Sequence, residues 1–152
     1  MTDATLPKLA QVLFIEDSTA EIRLVTELLN RAKVQFDGHW VTTAEDALSF
    51  LRREKGFETA PTPDVIFLDL NLPKLSGGKL LQLIQGDQTL SRIPVVILSG
   101  SDFEDDVVHA REQGATHYLV KPLDHPKLCE TVALIDTLKL ERDGTDWHLR
   151  KV

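Results

Sequence analysis

The chain has a single cysteine, Cys129, so no internal disulfide can form. It falls on the apolar side of a helix-like segment and reads as a buried free thiol. No apolar run approaches the roughly 20 residues of a membrane span. The start, Met1 to Ala10, is polar and interrupted by Pro7, without the basic head and apolar block of a signal peptide. These absences predict a soluble cytoplasmic protein with no membrane contact. Basic charge is also scarce: 17 Lys and Arg stand against 24 Asp and Glu, a net charge of −7. That balance argues against nucleic acid, whose phosphates need a Lys/Arg footprint. The five histidines, His39, His109, His117, His125 and His148, show no ligand-type spacing, which disfavours zinc. Gly77-Gly78 is not a P-loop, because no G-x-x-x-x-G-K-S/T is present. There is no internal repeat and no low-complexity segment.

What remains is an ordinary folded domain. Its 152 residues are 42% hydrophobic and 27% charged, enough apolar content for a full core and too much for disorder at that charge. Strand-like and helix-like periods alternate along it. Gln11–Ile15 is a continuous apolar run, as expected of a strand buried on both faces. Ile22, Val25, Leu28, Leu29 and Ala32 mark a first helix. His39–Thr42 reads as a second strand. Ala44, Ala47, Leu48 and Leu51 mark a second helix, with Thr42 and Glu45 as a capping box. A polar loop, Arg52–Pro63, leads to a third strand, Val65–Leu68. After the turn-forming Leu72-Pro73 and Gly77-Gly78, a third helix covers Ser76 to Gln85. A fourth strand covers Val95–Leu98 and a fourth helix Phe103–Gln113, with Glu104-Asp105-Asp106 as its solvated start. Thr116–Val120 is a fifth strand. A fifth helix runs over Lys127–Leu140, with Asp124 as N-cap, and Glu141–Val152 is a tail. Five βα units predict a doubly wound parallel sheet with right-handed crossovers and helices on both faces. The expected organisation is a flexible N-terminus over 1–10, one domain over 11–141 and a tail over 142–152, with no output domain.

Four of the strands end in residues suited to phosphate or magnesium chemistry. The first runs into Glu16-Asp17, the third into Asp69, the fourth into Ser99 and the fifth into Lys121-Pro122. In open parallel sheets, ligands bind outside the carboxyl ends of the strands. Each residue also has a plain structural role. Asp69 can cap a turn, Ser99 can do the same, and Lys121 can be a surface lysine. Ser18 with Glu21 forms a capping box that accounts for Ser18 but not for two adjacent acids. An aspartate can attack phosphorus to form an acyl phosphate. Mg²⁺ prefers hard oxygen ligands, and a lysine ammonium is a natural partner for phosphate. In the flavodoxin-like order 2-1-3-4-5, strands one and three are neighbours, so Asp17 and Asp69 should face each other. Clustered acids repel and at least one should be raised in pKa, which a cation would relieve.

The set resembles the receiver domain of two-component response regulators, over roughly Val12 to Leu140. Ser99 follows Asp69 by 30 residues and Lys121 follows Ser99 by 22, the family's usual intervals. The resemblance implies that Asp69 is the phosphoacceptor, and that Mg²⁺ sits on Glu16, Asp17, Asp69 and the backbone carbonyl of Asn71. It implies that Ser99 bonds the phosphoryl group, that Lys121 pairs with it, and that Lys121-Pro122 is a cis peptide. It makes Tyr118 the aromatic switch. The interval from Asp17 to Asp69, 52 residues, is longer than in compact members, and the excess lies in Arg52–Pro63. That loop, with Asp-Leu-Asn-Leu-Pro at 69–73, is similar to single-domain regulators of phytochrome-type histidine kinases. The implied protein is a signalling switch rather than a metabolic enzyme, with a sensor histidine kinase as partner. Phosphate sink and relay intermediate remain alternatives. A haloacid dehalogenase-type phosphatase would want a second Asp where Asn71 stands, and a flavodoxin would find its phosphate repelled by Glu16-Asp17. Trp147 could extend a homodimer surface or pack on its own subunit.

Overall fold

Val65, Ile66, Phe67 and Leu68 offer no polar face to water, so they fit only the middle of a sheet covered on both sides. The computed structural model of the chain, which describes residues 8–72, 76–100 and 104–152, places them there. In chain order the elements are β1 (Gln11–Ile15), α1 (Thr19–Arg31), β2 (Val34–Gln35), β3 (Asp37–Val41), α2 (Ala44–Arg52), β4 (Val65–Asp69) and α3 (Gly77–Gln85). A 3-10 turn (Leu90–Arg92) follows, then β5 (Val95–Ser99), α4 (Glu104–Glu112), β6 (His117–Val120), α5 (His125–Val132), β7 (Leu138–Asp143) and β8 (Asp146–Lys151). The main sheet has the order β3-β1-β4-β5-β6 and every pair is parallel. Counted among these five strands alone, that is the expected order 2-1-3-4-5. The expected turn at Leu72-Pro73 and the start of the fourth helix at Phe103 lie partly outside the described residues, as do the side chains of Glu104, Asp105 and Asp106.

Strand periodicity divides the core in two. Leu13, Ile15, Ile66, Leu68 and Ile97 face α2 and α3, packing on Ala47, Leu80, Leu81 and Ile84. Val12, Phe14, Val65, Phe67 and Leu119 face α1 and α5, packing on Val25, Leu29, Leu128 and Val132. Phe14 sits at the centre of the second layer, stacked on Trp40 at 3.9 Å and on Phe67 at 5.3 Å between ring centroids. Among the described residues, no helix is long and apolar enough to cross a membrane.

Local chemistry sets the helix starts. Ser76 and Asp124 accept hydrogen bonds from the N–H groups of Lys79 and Lys127. The cap of α2 is Thr43, not Thr42: Thr43 is the last extended residue, and its hydroxyl accepts from Asp46 N. The box expected at Ser18 is only half formed. Ser18 accepts from Glu21 N at 3.3 Å, but the Glu21 carboxylate goes elsewhere and Glu16 Oε2 takes the Ser18 N–H instead.

The C-terminal part differs most from expectation. The fifth helix ends at Val132 rather than Leu140, and the expected tail is a β-hairpin. Leu138 and Leu140 alternate with charged residues, as do Trp147 and Leu149. This period-2 pattern buries one face of a ribbon. The turn is Gly144-Thr145 after Asp143, an Asp-Gly hairpin signal, and Gly144 has φ +65°, where a side chain is strained. The hairpin joins β2 in a second sheet, order β2-β8-β7, with Val34 beside Trp147. Leu138 and Leu149 belong to the same core layer as Phe14. Residues 9 and 10, expected to be flexible, are tied down: Leu9 bridges Arg150, and Ala10 N donates to Leu149 O at 2.8 Å. Trp147 packs on its own chain, against the His125 ring at 4.9 Å and under the Arg142 guanidinium. Cys129 is half-buried rather than buried, because it lies off the Leu128/Val132 stripe, with its Sγ 3.6 Å from His125 Nε2.

His117, at the start of β6, is buried with its Nε2 unbonded and 3.8 Å from the Glu130 carboxylate. Burial lowers its pKa, the Glu130 charge opposes that, and Arg111 adds to it. A base whose folded pKa lies below its unfolded value contributes stability at pH above the unfolded value, lost as pH falls through the folded one. Wild type should therefore lose stability in urea melts as pH drops below about 6.5, and His117→Gln should lose less over the same window. Parallel pH profiles would refute the assignment.

Candidate functional site

The carboxyl ends of four strands meet along one edge of the main sheet. Register places the residues. Ile15 pairs with Leu68, so Glu16 emerges beside Asp69, the last residue of β4. Asp69 pairs with Leu98, so Ser99 lies one step beyond it on β5. Ser99 pairs with Val120, and Lys121 N donates to Ser99 O at 2.8 Å. The Lys121–Pro122 peptide bond is cis.

Glu16, Asp17 and Asp69 bring carboxylate oxygens within 4.8 Å of one another. Glu16 and Asp69 are buried, at 7% and 4% exposure, while Asp17 faces solvent. Beneath them lies an apolar floor of Phe14, Phe67, Leu98 and Leu123. Burial pushes the Glu16 carboxyl up to about 7; the Lys121 ammonium pulls against this and Asp69 adds to it. Lys121 reaches across two strands. Its Nζ lies 2.8 Å from Glu16 Oε1, 2.9 Å from Glu21 Oε2 and 3.3 Å from Asp69 Oδ1. Burial works against the ammonium, but Glu16, Glu21 and Asp69 outweigh it and hold its pKa above the ordinary lysine range. Asn71 N donates to the same oxygen, Asp69 Oδ1, at 3.0 Å. Ser99 is buried at 1% exposure. Tyr118 is buried too, its ring in the layer that faces α2 and α3.

Glu16, Asp17, Asp69 and Lys121 thus meet at one point, with Ser99 beside them. The Asn71 N–H is in the cluster, and Tyr118 lies behind it in the core. Sequence reasoning missed two participants. Glu21 was assigned to helix capping; its position one turn after Asp17 on α1 was the available signal. Gly77 opens α3 where the helix crosses the end of β4. Its N–H donates to Leu70 O at 3.1 Å, and a Cβ there would overlap the Asp69 carbonyl and lie 2.8 Å from Leu70 Cα. Gly77→Ala should therefore lower stability by about 1–3 kcal/mol in urea melts, because backbone must shift. It should also displace Asp69; unchanged stability would show that the helix can move freely.

Three hard-oxygen donors from two adjacent strands, with one lysine insufficient to balance them, suit a divalent cation. The same edge presents a carboxylate and an ammonium to an incoming phosphoryl group. The sequence matches the response regulator receiver domain family over residues 12–133. The chain belongs to that family. The general function of a receiver is to accept a phosphoryl group on an aspartate from a histidine kinase, and the phosphatase and flavodoxin alternatives fall away. The response regulator Rcp1 of Synechocystis sp. is 37% identical over 130 residues, covering 86% of this receiver chain and 88% of Rcp1. The phosphorylated cyanobacterial phytochrome response regulator RcpA is 39% identical at TM-score 0.69, covering 75% of this chain and 81% of that one. The Mn²⁺-bound form of Rcp1 superposes at TM-score 0.71 with 33% identity, covering 88% and 99%.

Proposed function

We propose that Asp69 is the phosphoacceptor of this receiver, with the phosphohistidine of a sensor kinase as donor. The observation that carries this is the meeting of Glu16, Asp17 and Asp69 within 4.8 Å, with Lys121 Nζ 3.3 Å from Asp69. An Asp69 oxygen forms the new bond to phosphorus, and the bond from phosphorus to the kinase imidazole breaks. The electron pair stays with that nitrogen, and the product is an acyl phosphate. Glu16, Asp17, Asp69 and the Asn71 carbonyl would hold Mg²⁺, which when bound supplies positive charge to the phosphoryl oxygens. That the similar Rcp1 has an Mn²⁺-bound form supports a divalent ion for this receiver. Lys121 supplies a second positive charge, preorganised at the strand ends.

The phosphorylated state would then be read through Ser99 and Tyr118. A hydrogen bond from Ser99 to the phosphoryl group draws the end of β5 toward Asp69. Tyr118, on the neighbouring strand, transmits that shift to the surface of α4, β6 and α5. The likeness to the phytochrome response regulator RcpA supports a phytochrome-type histidine kinase as donor, and the proposed setting of the pair is the cytoplasm. The decisive experiment is intact mass after incubation with acetyl phosphate. A gain of one phosphoryl group with Mg²⁺ and none without it is expected. No gain under either condition would overturn the proposal.

A further inference from the structure

Lys121 has three N–H donors, and a lysine has no more. In this structure three carboxylates lie at ion-pair distance from its ammonium: Glu16, which also accepts a hydrogen bond from it, Glu21 and Asp69. The three acids are not equivalent. Glu16 and Asp69 belong to the cluster of carboxylates that can share a cation, whereas Glu21 does not. Glu21 comes from α1, one turn beyond Asp17, and its side chain is 40% exposed. Its ion pair with Lys121, at 2.9 Å, is within 0.1 Å of that of Glu16 at 2.8 Å and closer than that of Asp69 at 3.3 Å.

When a divalent ion engages Glu16 and Asp69, and Asp69 becomes an acyl phosphate, Glu21 is the acid left with Lys121 as its side-chain partner among the described residues. A phosphoryl group seeking Lys121 must therefore compete with Glu21. The Glu21 carboxylate can remain in water on the α1 surface when released, so it can yield without leaving a buried charge behind.

We propose that Glu21 is a positioning residue that draws the Lys121 ammonium toward α1 and so sets how tightly the receiver holds a phosphoryl group. This rests on Asp69 being the phosphoacceptor. Receivers carrying an uncharged side chain at this helix position would, on the same physics, bind the phosphoryl group more tightly and release it more slowly.

The test uses the full chain with Mg²⁺ and beryllofluoride, a phosphoryl mimic, titrated by tryptophan fluorescence or calorimetry. Glu21→Gln keeps the size of the side chain and removes its charge. It should bind beryllofluoride about threefold to fivefold more tightly than wild type, the scale of a partly exposed ion pair. Glu21→Asp keeps a negative charge on α1 but is too short to reach Lys121. If direct contact matters, Glu21→Asp should show at least half of the Glu21→Gln gain on a logarithmic scale. A smaller gain in Glu21→Asp would mean that only the general field of the charge acts, and would overturn the contact. Unchanged or weaker binding in Glu21→Gln would overturn the proposal as a whole. Wild type treated with acetyl phosphate and Mg²⁺ keeps the two claims apart. If it forms no phosphoryl adduct, the phosphoacceptor assignment fails. If it does and Glu21→Gln shows no gain, the Glu21 role alone fails.

Discussion

Asp69→Asn should show no Mg²⁺-dependent mass gain from acetyl phosphate, while remaining folded. The loss should be complete rather than partial. An amide lacks the anionic oxygen that attacks phosphorus, and no second carboxylate has the same setting. Glu16 is buried and bonded to Lys121, and Asp17 is in solvent with Lys121 beyond the reach of any described contact. Folding should survive because the substitution relieves repulsion. Asp69 is 4% exposed and adds to the push on Glu16, so replacing its charge lowers the electrostatic cost of the cluster. The measurement pairs intact mass with thermal melting in the absence of metal. A wild-type mass gain in Asp69→Asn would remove the central assignment, and an unfolded variant would show that the Lys121 bond to Asp69 is needed for the fold.

Asp17→Ala should weaken Mg²⁺ binding by more than the roughly 10–100-fold that follows loss of a supporting partner, because the proposed site would lose a direct oxygen donor. Asp17 is the exposed member of the three acids, so it can change partners without disturbing the core. The neighbouring Ser18→Ala is the control. It removes the hydroxyl that caps α1 and should cost about 1 kcal/mol of stability with little change in metal affinity. Calorimetric titration of Mg²⁺ into the two variants separates the roles. Equal affinity in Asp17→Ala and wild type would move the cation elsewhere.

Much of this site was legible because it is written at strand ends. Val65–Leu68 is so uniformly apolar that it could only be a central strand, and the first polar residue after it, Asp69, had to emerge at the edge. The same logic placed Glu16-Asp17, Ser99 and Lys121. Glu21 was not legible in this way. Its spacing from Ser18 fits a capping box, and helix geometry alone cannot say whether its carboxylate folds back to the backbone or reaches a lysine 100 residues later in the chain. Gly77 with Gly78 reads in the sequence as a turn, whereas both belong to the first turn of α3, capped by Ser76. A glycine near a helix start is ordinary, and only the closeness of the Asp69 carbonyl makes it necessary.

The fifth helix shows how local pattern can mislead. Leu128, Val132 and Ile135 continue at helical spacing into Leu138, so a helix through Leu140 satisfied the apolar residues. The alternating Leu138/Leu140 and Trp147/Leu149 pairs, together with Asp143-Gly144, satisfied a hairpin equally well. What separates the two is the partner: β8 lies beside Val34, and Leu149 packs in the layer with Phe14.

The sequence by itself determined the five βα units, the strand ends that bear chemistry and the family, because burial on both faces and the spacing of Asp69, Ser99 and Lys121 are properties of the chain read in one dimension. Only the tertiary structure decided that Lys121 is shared among three acids and that Gly77 cannot carry a side chain. It alone decided that the C-terminal residues form a second small sheet. Each of these depends on which distant segments become neighbours, and that is set by how the two faces of the sheet are covered rather than by any local preference.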